Sequence, residues 1–267
     1  MKVFANHCHV FEEILRPHGS IETLKRTMDE AGIDKAVAFA PFKNDRQVSA
    51  PEVNQNRWLA GAIKDSPDIV GFGTIDFERD DLRAQTEEIA ELGLRGIKLH
   101  PAAQEFKVNG ERAYEVYEAA ERLGLFLTFH TGVHWHRLSD YAMLLFDDLT
   151  YDFPNLKFSM EHMGGYCFFR DALAVLVNRR GNAKDPHVFA GWTSVYEPGL
   201  WYLTDEELLT LVRLGGETTQ IFGTDFPHNK GPQLKEAIAR ICGLDLSEDA
   251  KARILGGNLA EALNIKL

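Results

Sequence analysis

The sequence is poor in cysteine. Cys8, Cys167 and Cys242 are odd in number and far apart. They make no disulfide framework and no C-x-x-C pair, which points to a reducing compartment. No apolar run approaches the roughly 20 residues that cross a bilayer, and no basic segment leading into an apolar one opens the chain. The expectation is a cytoplasmic protein without a membrane partner. A basic excess is also missing. The formal net charge is -11, which disfavours nucleic acid as a general partner. No G-x-G-x-x-G follows the first apolar run, so a dinucleotide-binding doubly wound sheet lacks its signature. No Pro/Gly/Ser-rich linker divides the chain, so residues 1–267 are expected to form one domain.

What is present is a repeated unit. Short apolar runs begin near Lys2, Lys35, Ile69, Leu94, Leu125, Leu156, His187 and Thr219. The step is roughly 30 residues, the size of one strand and one helix. The stretches between them carry helical stripes, such as Ile21, Leu24, Met28 and Ala31. That stripe opens at Ser20, an N-cap residue, and stops at Gly32. Two further helices are expected to end at Gly93 and Gly124, and Thr204 with Glu207 forms a capping box. Eight units in 267 residues predict an α/β fold, a (β/α)8 TIM barrel. Leu255, Leu259 and Leu263 belong to C-terminal closing helices.

In such a barrel the chemistry gathers at the C-terminal ends of the strands. Five of the eight runs end in metal ligands or general bases: His7 and His9, Lys98 and His100, His130, Glu161 and His162, and Asp225. Residues two apart on a strand share a face. His7 and His9 therefore point one way and Cys8 the other. Strands one, five and eight bring His7, His9, His130 and Asp225 to one mouth. Three imidazoles and a carboxylate suit one divalent ion, Zn²⁺, or alternatively Mn²⁺ or Fe²⁺.

The segments "HCH", "GIKLHP", "FHTG", "EHMGG", "IFGTDFPH" and "ILGGNLAEAL", in this order, resemble the amidohydrolase superfamily. More narrowly they resemble its amidohydrolase-related branch, which contains metal-dependent decarboxylases and hydrolases. The resemblance runs over nearly the whole chain. It implies a barrel with one divalent metal held by His7, His9, His130 and Asp225. It gives His162 an acid/base or orienting role, and it implies a homodimer. Ala5 stands where many members carry Asp, so the surroundings of the ligands are expected to differ.

The remaining candidates concern a small-molecule substrate. Lys98 is expected to bind an anion or sit as a satisfied charge in the barrel, with carbamylation between two metals as a further option. His100 divides between substrate contact and a structural hydrogen bond. His134 and Arg137, after strand five, would wall a pocket, with Arg137 pairing a carboxylate. Trp192 would be an apolar wall. The leading expectation is hydrolysis of an ester, lactone or amide, with Asp225 and His162 moving protons. The alternatives are non-oxidative decarboxylation of an aromatic or unsaturated acid, and a non-catalytic metal-binding module.

Overall fold

The computed structural model describes residues 1–43, 53–180 and 187–267. Eight parallel strands close into a barrel in chain order. They are β1 (Phe4–His9), β2 (Lys35–Phe39), β3 (Ile69–Thr74), β4 (Gly96–Leu99), β5 (Phe126–His130), β6 (Phe158–Glu161), β7 (Val188–Thr193) and β8 (Gln220–Phe226). The helices are α1 (Ile21–Ala31), α2 (Gln55–Ile63), α3 (Leu82–Glu91), α4 (Glu111–Leu123), α5 (Leu145–Asp152), α6 (Phe169–Arg180), α7 (Asp205–Thr210), α8 (Gly231–Gly243), α9 (Glu248–Ala252) and α10 (Asn258–Leu263). No helix among the described residues is long and apolar enough to cross a membrane.

The local signals act as the sequence predicts. The Ser20 hydroxyl accepts the Thr23 N–H at the start of α1. The chain leaves α1 and α4 through Gly32 and Gly124 in the left-handed conformation, which costs glycine no steric penalty. Thr204 and Glu207 close a capping box on α7.

Strand alternation sorts the core into two shells. Ile97, Leu99, Leu127, Phe129, Ala190, Trp192 and Phe222 face outward and pack with helix residues such as Leu24, Leu82, Val116 and Leu208. Phe4, Val37, Phe39, Phe72, Phe126, Phe189 and Ile221 fill the barrel interior. Leu259 and Leu263 of α10 join that interior cluster and close the end opposite the site. Above these aromatic residues, toward the strand C-termini, the interior becomes polar.

Candidate metal centre

β1 reaches the centre through a bulge. Its register with β2 shifts between Ala5 and Cys8, and with β8 between Asn6 and Cys8. His7 sits there with φ +71°. Simple alternation from Phe4 would send His7 outward with Ala5. The bulge adds one step, so Asn6 and His7 both turn inward, as a bulge permits. Cys8 turns outward, with its thiol 3.1 Å from the Thr224 hydroxyl. Burial pushes that thiol up to about 12, and its outward position keeps it away from the centre. The His7 and His9 rings lie 5.0 Å apart. Asp225 and His162 also occupy left-handed backbone positions; each aims a side chain inward where its strand ends.

Two sets of donors meet at His7. His7 Nε2 is 3.5 Å from Asp225 Oδ1, and His9 Nε2 is 3.8 Å from the same oxygen. Donors around one tetrahedral zinc lie about 3.4 Å apart, so these spacings fit a single ion. The second set is His7, His130 and His162, whose ligand atoms lie within 4.8 Å of one another. Of the expected ligands, His7, His9 and Asp225 share one set, and His130 belongs to the other. His130 meets the centre through His7, on the side of His162.

The hydrogen bonds choose the tautomers. Carbonyl and carboxylate oxygens only accept, so the ring nitrogen facing one must carry the proton. His7 Nδ1 donates to Glu161 Oε2 at 3.1 Å. His130 Nε2 donates to the Gly132 carbonyl, and His162 Nδ1 to the Thr193 carbonyl, both at 2.8 Å. The lone pairs of His130 Nδ1 and His162 Nε2 remain, and that of His7 Nε2 faces Lys98 Nζ. His162 Nε2 is buried and has no hydrogen-bond partner among the described residues. Burial, followed by nearby cationic groups, holds His7, His9, His130 and His162 well below the usual imidazole range. Neutral imidazoles with oriented lone pairs are what a divalent ion requires.

The charged groups complete the centre. Asp225 Oδ2 accepts the Ser194 hydroxyl at 2.9 Å, and burial pushes its carboxyl up. Lys98 is fully buried, with Nζ 3.1 Å from His7 Nε2 and over the Phe39 ring. Burial pulls its ammonium down to about 7 against the attraction of Glu161 and Asp225.

A family model described as amidohydrolase matches residues 9–265. The chain belongs to the amidohydrolase family. Solved structures share its fold from end to end. One is 5-carboxyvanillate decarboxylase from Sphingomonas paucimobilis, at 18% identity and TM-score 0.73, covering 99% of each chain. Another is designated a probable 2-pyrone-4,6-dicarboxylic acid hydrolase, from Acinetobacter baumannii with citric acid bound. It has 14% identity and TM-score 0.72, covering 99% of this chain and 100% of that one. A third is a dihydroxybenzoic acid decarboxylase from Polaromonas with manganese and 2-nitroresorcinol bound. It has 16% identity and TM-score 0.73, covering 98% and 97%. Likeness at these identities is a statement about the fold.

Over the centre the barrel has a cavity of about 420 Å³. Its lining includes His9, Phe39, His100, His130, His134 and Asp225. His100 and His134 are thus both placed at the cavity. His100 stacks on His130 with ring centroids 4.0 Å apart. Its Nδ1 accepts the Ala103 N–H at 3.2 Å, so the neutral ring carries its proton on Nε2. Although His100, His130 and His134 lie close enough for a metal, that proton makes His100 a donor.

Two expectations need correction. Trp192 is not a pocket wall. It is fully buried with Nε1 bonded to Gln220 Oε1 at 2.9 Å. It shares the outward face of β7 with Val188 and Ala190, because strand residues two apart share a face. The wall is Trp201, whose ring lies 3.9 Å from that of His162. Arg137 is exposed and lines a separate surface cavity with Trp135 and His136. The arginine at the metal cavity is Arg16, lying over the Phe11 ring. His228, three residues after Asp225, also lines that cavity. Arg16 and Trp201 lie in loops without periodicity, so no pattern pointed to them. His228 is the last residue of "GTDFPH" and was legible as a titratable group near a strand end.

Proposed function

We propose that this protein is a metal-dependent hydrolase of a small carbonyl substrate, an ester, lactone or amide. The observation that supports it best is the pair of proton-accepting groups on either side of His7: Asp225, and the unpartnered His162 Nε2. His7, His9, His130 and Asp225 would hold the ion, with zinc suited to this set and manganese or iron(II) as alternatives. When bound, such an ion supplies Lewis acidity and lowers the pKa of a water from about 15.7 toward neutrality.

The residues of the chain do the rest. Ser194 holds Asp225 Oδ2, which steers Oδ1 toward the centre as acceptor for the proton that water loses. The Thr193 carbonyl holds His162 Nδ1–H, which leaves Nε2 to accept a proton and pass it to the leaving group. In the balanced reaction the acyl C–O or C–N bond breaks. The water oxygen ends on the acyl carbon, and the proton on the leaving group. Phe39, Phe42 and Trp201 line the cavity and exclude water from the substrate's apolar part. A volume near 420 Å³ suits a small molecule.

A second reading, non-oxidative decarboxylation, is favoured by Arg16 at the cavity, where a guanidinium can hold a carboxylate. Metal-replete protein assayed in ¹⁸O-labelled water against esters, lactones, amides and unsaturated acids separates the two. Hydrolysis places ¹⁸O in the acid product, and removal of the ion with a chelator abolishes turnover. Released CO₂ with no label in the organic product refutes hydrolysis and establishes the second reading. Bound metal without either reaction favours a non-catalytic barrel.

A further inference from the structure

We propose that Glu161 is the positioning residue of the metal centre, presenting His7 Nε2 to the ion by fixing the tautomer and rotation of the ring. The proposal rests on the metal-dependent reading above and is indifferent to hydrolysis or decarboxylation.

Glu161 is fully buried, and both of its oxygens are taken. Oε1 accepts from Asn6 Nδ2 at 2.8 Å and from Ser159 Oγ at 2.5 Å. Oε2 accepts from His7 Nδ1 and from the Thr193 hydroxyl. The carboxylate thus joins β1, β6 and β7. The barrel makes room for it with glycine. A Cβ on Gly191 would lie 2.5 Å from both carboxylate oxygens, and one on Gly223 would lie 3.4 Å from Oε2 and against Thr193.

A carboxylate is more than a structural clamp requires here. Asn6, Ser159 and Thr193 are neutral donors, and the fourth contact is an imidazole N–H. Burying an anion among neutral groups is unfavourable without a compensating cation. Lys98 is one such cation. The other is the ion itself, reached through the imidazole that Glu161 grips. A carboxylate on the far nitrogen fixes a ligating histidine and raises its basicity. The carboxylate on the far nitrogen of His7 comes from strand six.

Glu161→Gln tests the assignment. The amide keeps the shape but turns an N–H toward His7 Nδ1–H, so His7 is expected to move its proton to Nε2 and lose the ligating lone pair. Zinc affinity, measured by competition with a chelating dye, should fall about 10–100-fold. The ¹⁵N spectrum of metal-free protein should show His7 as the Nδ1–H tautomer in wild type and as Nε2–H in the variant. Thr193→Val removes one donor to Glu161 but keeps the His7 contact. It should bind zinc within about threefold of wild type while losing thermal stability. Zinc affinity unchanged in Glu161→Gln, or a wild-type His7 carrying its proton on Nε2, overturns the proposal. If Glu161→Gln does not fold, the wild-type spectrum decides alone. If the wild type binds neither zinc nor manganese, the metal-dependent reading itself fails.

Discussion

Replacing Gly191 by alanine adds a single methyl group, and the geometry says where it goes. The new carbon would sit 2.5 Å from both oxygens of Glu161, inside their van der Waals contact. A free side chain would swing aside. This one is held by Asn6, Ser159, His7 and Thr193, so either β7 moves outward or hydrogen bonds lengthen. Overpacking a well-filled interior costs about 1–3 kcal/mol. Weakening one buried hydrogen bond to a charged group costs about 1.5–3 kcal/mol. A loss near 3 kcal/mol corresponds to a fall in Tm of roughly 6–12 °C for a chain of this size. Zinc affinity should fall with it, because the displaced carboxylate releases His7. Gly61 in α2 is the control, since nothing lies within 4 Å of the position its Cβ would take. There alanine should raise stability by about 1 kcal/mol through helix propensity. Thermal denaturation by circular dichroism and zinc titration of both variants make the comparison. A Gly191→Ala protein melting within about 2 °C of wild type with unchanged zinc affinity refutes the rigid cradle.

Other perturbations act on separate parts of the argument. Asp225→Asn keeps the shape but removes the charge. It should lower kcat about 10²–10⁴-fold and weaken zinc binding, and steady-state kinetics showing less than a tenfold loss count against its role. In chelated, metal-free protein, four imidazoles held neutral by burial refuse protons that the unfolded chain accepts near pH 6.5. Stability should therefore fall as pH drops through about 6.5, with Asp225, shifted upward, opposing by one proton. Urea midpoints at two pH values check the sign, and a higher midpoint on the acid side contradicts it. Thr204→Ala removes the hydroxyl that accepts the Glu207 N–H. It should cost about 1 kcal/mol in a urea titration and leave turnover unchanged, and altered kcat would mean that α7 bears on the site.

The barrel was legible because its signals are local and repeated eight times. Each strand begins within a residue or two of where apolar runs predicted, and Gly32 and Gly124 stop their helices as expected. The donors were legible for a related reason. In a parallel barrel every strand delivers its last residues to one mouth. Listing strand ends therefore singled out His7, His9, His130, His162 and Asp225 as candidates without knowledge of distances. Trp192 shows what that approach omits. It lies at a strand end, but on the face shared with Val188 and Ala190. Counting by twos from Phe189 would have placed Gly191 and Thr193 inside and Trp192 outside.

The same counting separates two kinds of hidden information at the centre. On β6 it would have succeeded: Ser159 and Glu161 share a face, and Met160 belongs to the outer shell, so an inward carboxylate followed from alternation alone. On β1 it would have failed. Counting from Phe4 puts His7 outside with Ala5, and only the left-handed backbone at His7 restores it to the interior. That conformation is uncommon for a residue with a side chain and needs surroundings that hold it. Asn6 and His7, the two side chains the bulge turns inward, both donate to Glu161. The carboxylate that orients the ligand is therefore also a partner that makes the bulge worth adopting. The glycines at 191 and 223 leave space for it on the opposite wall. Four elements far apart in the chain must agree before one imidazole faces the centre, and no single segment of sequence carries that agreement.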